Sequence, residues 1–486
     1  MYSGRWNGGV DVSPCEEARS AASARGVSIG TRPRQPGGRP TVSTGGSAPA
    51  ARGLDALRIP IVRNFALGRI VSGLAQQIVS VAVGWELYER TGDPWMLGLV
   101  GVFTLAPSLL LMLPAGSAAD RFPRRNLTII AAVMTGLASF GLAALSWQQW
   151  PAEWVFAILV ALGAARAISA PAAGAILPQL LEPRQFTNVN TWLISCMQLA
   201  SILGPAVGGM LIYLSNDALT SYLVAGVFQF AFVGLLATLP SVPPPTVTGG
   251  VRDALANIFG GFAFMWRTPV FLAAITLDLF AVLLGGAVAL MPVYAKDILM
   301  VGPGGLGIMR AAPGVGAMLS MLLAARMPPW ERPGRVLLYV VGGFGLATIG
   351  FGLSHNLWLS LACLFMVGAT DSISMVIRQT MMQALTPDAL RGRVASVNSL
   401  FIGFSNELGA FESGAVAGLF GPIFAVVSGG IGTLVVVATV ALKWPVILRV
   451  PPLHTLRPAD LSKAAPAPAA PAEAPREPAG VRSPGA

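Results

Sequence analysis

MLGLVGVFTLAPSLLLMLPAGSAADRFPRRNLTIIAAVMTGLASFGLAAL, residues 96–145, sets two long apolar runs around one short loop that carries Asp120, Arg121, Arg124 and Arg125. Each run is about twenty residues long, the length at which a helix crosses the hydrocarbon of a bilayer. The pattern recurs. Twelve such segments are expected between Arg58 and Arg449, at 61–89, 96–119, 126–147, 153–181, 185–213, 218–239, 270–295, 304–327, 335–354, 357–385, 394–420 and 423–447. An unsatisfied backbone group costs several kcal/mol in hydrocarbon, so spanning segments are helices or a closed barrel. These runs are continuous and lack the alternation of barrel strands. The expected fold is an all-α membrane protein of twelve transmembrane helices.

The loops alternate in charge. Those after even-numbered segments carry Arg121, Arg124, Arg125, Arg184, Arg252, Arg267, Arg326, Arg332, Arg335, Arg391 and Arg393; those after odd-numbered segments carry only Arg90 and Lys296. Lys and Arg are held on the cytoplasmic side during insertion. This predicts a multi-pass protein with both termini in the cytoplasm. Arg outnumbers Lys 29 to 3 and Ala, Gly and Pro abound, which suggests a bacterial source and hence the cytoplasmic (inner) membrane.

The chain has 486 residues, 54% hydrophobic and 11% charged, which excludes a soluble domain. The net charge of +10 reflects inner loops and tails facing anionic membrane lipid rather than a nucleic-acid partner. The three cysteines, Cys15, Cys196 and Cys363, offer no disulfide framework, and the two histidines, His355 and His454, lie outside the apolar segments. A histidine-ligated metal, a serine–histidine pair and a cofactor are therefore not expected. A multi-span enzyme would need a nucleophile–base set that the short loops lack, and a sensor would need a folded soluble output domain. Residues 1–56 and 451–486 read as disordered tails. The first is either a regulatory tail or an over-called start, and it has no signal-peptide pattern.

Between the tails the chain divides into a six-helix bundle at 57–240, a linker at 241–269 and a second six-helix bundle at 270–450. The linker holds Pro243-Pro244-Pro245 and then an amphipathic stretch, 251–266, suited to the membrane interface. The halves repeat. Tyr88 falls on Tyr294 and Arg90 on Lys296; Ala106-Pro107 falls on Ala312-Pro313, and Gly163-Ala164 on Gly368-Ala369. Parallel repeats of this kind are a transporter architecture, with the site between the halves.

Several phrases carry a family resemblance. Gly116-Ser-Ala-Ala-Asp120-Arg121-Phe-Pro123-Arg124-Arg125 resembles the signature between helices two and three of the major facilitator superfamily, with Pro123 where the family usually has glycine. Here Gly116 is expected to let helices approach. Asp120 is expected to accept bonds from a neighbouring helix N-terminus. The corresponding loop of the second half, 325–335, lacks the Asp. Ala200-Ser-Ile-Leu-Gly204-Pro205-Ala-Val-Gly208-Gly209 resembles the motif of the family's antiporters, with Ala200 replacing its leading glycine; this favours export over import or facilitation. Leu277-Asp278, Arg310-Ala-Ala-Pro313, Arg391-Gly-Arg393 and Ser405-Asn406-Glu407-Leu-Gly409-Ala-Phe-Glu412-Ser-Gly414 look like the enterobactin-exporter-like branch. The resemblance spans about 58–447. It implies alternating access in a transporter, expected to be monomeric, of a small amphipathic molecule such as a siderophore, drug or metabolite.

Among the charged residues that fall within the segments are Arg69, Arg166, Arg310, Arg378, Glu86, Asp278, Asp371, Glu407 and Glu412. Each costs about 2.5–3.5 kcal/mol at a helix centre, so they are expected to pair or to face water. A carboxylate in apolar surroundings can take up a proton near neutral pH. Asp278 and Glu407 are coupling candidates because neither has a basic neighbour one turn away in its own helix. Asp371 lies seven residues from Arg378, on one face, and reads equally as coupling site or salt bridge. Glu86 and Glu412 read as structural. Arg166 takes the place of the family's helix-four arginine. Arg69, Ser72, Gly73, Gln76 and Ser80 form one stripe expected to face a cavity, which Arg378, Phe280, Met291 and Phe404 are expected to join. The orientation predicts that, in a cysteine-free background, an impermeant thiol reagent added to intact cells labels Asp93→Cys and His355→Cys but not Arg124→Cys or Arg391→Cys. The reverse pattern would overturn it.

Overall fold

The structure is a computed structural model and describes residues 59–181, 183–243, 251–328, 330–387, 390–452 and 455; the side chains of 183–188 and 251–258 are outside that description. The expected tails, apart from 451, 452 and 455, and part of the linker, 244–250, also lie outside it. Each expected span carries a helix: α1 Pro60–Thr91, α2 Pro94–Arg121, α3 Arg124–Gln148, α4 Trp154–Gly174, α5 Pro183–Ser215, α6 Leu219–Ala237, α7 Pro269–Leu284, α8 Gly302–Ala324, α9 Pro333–Gly352, α10 Leu357–Leu385, α11 Arg391–Phe420 and α12 Pro422–Lys443. Among the described residues, ten helices are long and apolar enough to cross a membrane. The other two depart for visible reasons. α7 is short, and α11 carries a polar stripe that includes Asn406, Glu407 and Glu412.

Local chemistry sets the ends. Gly92, at φ 63°, closes α1 in the left-handed region and donates to Tyr88 O at 2.9 Å. Asp93 then accepts from Trp95 N at 2.9 Å and Pro94 opens α2, so two residues turn the chain. Asn356 caps α10 in the same way, accepting from Trp358 N at 2.8 Å. Leu110, Leu137, Val227, Leu346 and Leu442 stand exposed around the bundle, an arrangement that suits lipid and not water.

The expected single helix at 270–295 is broken. α7 stops at Leu284, and the chain resumes as Met291–Val293 followed by a π turn, Tyr294–Ile298. Gly285 and Gly286 are poor helix formers, and Gly286 lies so close to α11 that a Cβ would sit 2.5 Å from Gly409 O. Helix 153–181 is also interrupted, at Ala175 beyond Pro171, before a short Ile176–Leu180 helix. The linker helix Val251–Arg267 bends by 104° into α7, with Phe259, Phe262 and Trp266 exposed.

The repeat seen in sequence is a repeat of packing. Gly163 of α4 sits on Thr104 and Pro107 of α2, and Gly368 of α10 sits on Pro313 of α8. The halves meet through α5 on α8 and α2 on α11. Gly209 of α5 faces Gly307 of α8, where a Cβ would lie 2.7 Å from Gly307 Cα and 2.5 Å from Pro303 O. These contacts lie toward the end opposite the basic loops. The π turn projects Lys296 and Asp297 there: Tyr88 Oη donates to Asp297, Lys296 Nζ donates to Glu89 O at 3.3 Å, and Lys296 lies 5.5 Å from the Tyr88 ring centroid. Gly209→Val is expected to wedge α5 from α8 and loosen this closure. The measurement is labelling of Ser80→Cys by an impermeant thiol reagent added from the face that carries Asp93. The rate should rise at unchanged folded yield; an unchanged rate would show that α8 moves to accommodate the side chain instead.

Candidate functional site

A cavity of about 800 Å³ lies between the halves. It runs from the level of Gly84 and Leu97 toward the basic end, reaching Arg69, Ala170 and Phe232. The α1 stripe of Arg69, Ser72, Gly73, Gln76 and Ser80 lines it, because residues three and four apart share a helix face. Arg166, Asp371 and Glu407 face it from α4, α10 and α11.

Arg166 and Glu407 join the halves across this space. Arg166 Nη1 donates to Glu407 Oε1 at 2.8 Å, and Thr104 Oγ1 of α2 lies 3.3 Å from Glu407 Oε2. The Arg166 side chain is 67% exposed and that of Glu407 22%, so water reaches the pair and lowers the cost of breaking it. Asp278 is arranged differently. It pairs with Arg378 between α7 and α10, with side-chain exposures of 10% and 9%. Arg378 therefore turns away from the cavity, and its acid comes from another helix rather than from Asp371 seven residues earlier. Asp371 is left exposed to the cavity without a hydrogen bond or ion pair among the described residues, and it shares a small side pocket with Asp278.

The aromatic and Met positions expected in the cavity do not line it. Met291 is fully buried in the core near the closed end, because the break in α7 turns it inward. Phe280 is 40% exposed off the cavity wall, and Phe404 is half-buried away from it. In the loop after α2, Arg124 Nη1 donates to Ala175 O at 3.3 Å and Arg125 Nη2 to Ala237 O at 3.1 Å, so both cap carbonyls at the ends of helices. Arg121 and Asp120 are exposed; Asp120 makes no hydrogen bond or ion pair among the described residues, and Gly116 faces open space. Among the described residues, the helix contacts expected of that acid and that glycine are not made in this arrangement, in which the halves close at the other end. The α5 motif makes close contacts: Gly204 and Gly208 pack on Gln77 and Ile78 of α1, Gly209 on α8, and Pro205 O lies beside Gly307.

Arg310 of α8 was named in the sequence as a membrane charge and as part of a family-like phrase, but not as a cavity residue. It reaches the cavity and donates to Ser80 Oγ at 2.9 Å. An arginine mid-helix with no acid one or two turns away was the signal for it.

Two repeated six-helix halves around a polar, water-reachable cavity define a membrane transporter. The chain belongs to the Major Facilitator Superfamily, which it matches over residues 65–410, and it is a secondary transporter, not an enzyme. It is 24% identical over 378 residues to the enterobactin exporter EntS of Shigella boydii, covering 78% of this chain and 90% of that protein. To that of Shigella flexneri it is 24% identical over 384 residues, with the same coverage. Among solved structures, the fold matches a bacterial homologue of the human lysosomal transporter Spinster, inward-facing and occupied, with TM-score 0.62, 15% identity and coverage of 81% and 97%. It also matches a D-xylose–proton symporter, with TM-score 0.60, 14% identity and coverage of 78% and 96%.

The burial of the Asp278–Arg378 pair predicts a structural role. Asp278→Asn leaves a buried guanidinium uncompensated, a loss of about 3–5 kcal/mol in comparable cases. Folded yield and thermal stability in detergent should fall sharply, and Asp278→Asn with Arg378→Met should recover part of both. Normal stability of the single variant would return Asp278 to candidacy for coupling.

Proposed function

We propose that this protein is a proton-coupled exporter of a small amphipathic molecule. It would sit in the bacterial cytoplasmic membrane with both termini and the basic loops inside. The Arg166–Glu407 pair carries the reading: it is an ion pair that spans the two halves inside the cavity. Ionised, Glu407 tethers α11 to α4 and, through Thr104, to α2. Protonated, it loses the ionic bond, and the two halves can rock apart around the site. A proton thus biases one access state over the other, which is what coupling requires.

The direction of transport rests on other supports. The α5 motif resembles that of antiporters, and the relatives at 24% identity are named as exporters. Asp371, open to the cavity and without a partner, is a second proton site that the geometry favours over Asp278. Asp120 would find its helix terminus in the other access state, when the basic end closes. The cavity is complete within one chain, in keeping with a monomer in contact with membrane lipid.

The test is a paired assay in proteoliposomes, with an amphipathic dye that the wild type accumulates. Glu407→Gln should lower efflux driven by a pH gradient by about tenfold or more, equivalent to 1.4 kcal/mol on the driven step. Exchange at equal pH should persist. Wild-type accumulation by this variant would reduce the pair to a passive tether.

A further inference from the structure

Two guanidiniums lining the cavity have no carboxylate. Arg310 crosses from α8 to α1, where Nη1 donates to Ser80 Oγ at 2.9 Å. Its Nε is buried with no hydrogen-bond partner. Beside its Nη2 the α1 residue is Gly84, where a Cβ would lie 3.7 Å from Nη2 and 3.3 Å from Pro292 Cγ, so the helices approach closely here. Arg69, nearer the basic end on the same stripe, has one hydrogen bond among the described residues, from Nη2 to Met197 Sδ at 3.1 Å. Arg69 and Ser80 are eleven residues apart, about 16 Å along the helix. With Arg166 these make three cations lining the cavity, against two acids, Asp371 and Glu407.

A hydroxyl and a thioether are weak partners for a guanidinium. Arg presents five donors in a planar fork that matches a carboxylate, sulfonate or phosphate bidentately, and a tether to Ser80 needs only one of them. A buried donor left unpaired calls for a partner. A cationic substrate would meet uncompensated like charge here. We infer that the cavity takes an amphipathic organic anion, its oxyanion group seated on Arg310 and its apolar body along Val83, Val100, Leu162 and Phe344. Arg69 stands where an anion arriving from the basic end meets it first. The inference rests on the reading of this cavity as the transport site and supplies the charge of what it carries.

The experiment uses two probes that share a skeleton and differ by one sulfonate: 8-anilinonaphthalene-1-sulfonate and neutral N-phenyl-1-naphthylamine. Fluorescence titration of the full chain in nanodiscs, against empty nanodiscs, should show saturable binding of the sulfonate, in preference to the neutral amine. Arg310→Gln should weaken sulfonate binding roughly tenfold, the scale of one lost charge-assisted bond, and leave the neutral probe unchanged; Arg310→Lys should restore part of it. Ser80→Ala, which frees the guanidinium of its one hydrogen bond, should preserve or tighten sulfonate binding, whereas a merely structural Arg310 predicts damage like that of Arg310→Gln. Should Arg310→Gln not fold, Arg69→Gln and the wild-type preference between the two probes decide. Absence of saturable sulfonate binding by the wild type, an equal or greater affinity for the neutral amine, or indifference to both arginines overturns the inference. No proton gradient enters this assay, so a failure of coupling at Glu407 leaves its outcome intact, and loss of anion binding leaves coupled export of a neutral substrate standing.

Discussion

A charged side chain inside a bilayer must meet counter-charge or water, because hydrocarbon offers neither. This constraint orders the interior of the protein. Glu86 is held by Arg90 at 3.2 Å, one turn away near the closed end. Asp278 is held by Arg378 in a dry contact between α7 and α10. Glu412 accepts from Ser413 Oγ at 3.2 Å. Arg166 and Glu407 hold each other, but across the cavity and within reach of water. Of these charges, Arg69, Arg310, Asp371 and Glu412 have no ion pair among the described residues, and the first three line the cavity. Charge that serves only the fold is cancelled inside the helix packing.

The second constraint is close approach. Lipid offers helices no hydrophobic reason to associate, so small residues that admit neighbouring backbones do much of the work. Gly163 on Pro107 and Gly368 on Pro313 lock equivalent helix pairs within each half. Gly209 on Gly307 does the same between halves, where the contact must also be breakable. It is dry, backbone to backbone and without ionic bonds. The polar bridges at that end, Tyr88 to Asp297 and Lys296 to Glu89, come from the π turn that follows the break in α7. One local irregularity thereby supplies the bonds that bring the end of α1 onto the second half.

The fold was legible because a bilayer imposes length, apolarity and loop charge directly on the chain. Apart from the interrupted helices at 153–181 and 270–295, helix ends fell within a few residues of expectation, and Gly92, Asp93 and Asn356 announce their caps. The break in α7 was also written in sequence, as Gly285-Gly286, but a strong apolar run on both sides concealed it. The site was legible by face and not by partner. Helical spacing put Arg69, Gln76 and Ser80 on one stripe, and all three line the cavity. Spacing also put Asp371 and Arg378 together, yet Arg378 takes its acid from Asp278, a hundred residues earlier. Periodicity within one helix says which way a side chain points; which helix stands opposite is decided by packing that no local pattern records. Met291 was misplaced for the same reason, its orientation being set by a broken helix rather than a continuous one.

An anionic substrate would also change the energetics of export. Moving one charge across the membrane potential is worth about 2.3 kcal/mol per 100 mV. If the basic loops face the negative, cytoplasmic side, as proposed, a monoanion leaving the cell moves down that potential, and so does a proton entering. One such exchange gains about 4.6 kcal/mol per 100 mV from the two charges before any pH difference is counted. A neutral substrate exchanged for a proton gains half of that, and a monocation gains nothing from the potential. The excess of guanidinium over carboxylate in the cavity therefore bears on driving force as well as on recognition. The charge that Arg310 and Arg69 would select is the one whose outward movement the membrane potential would favour most.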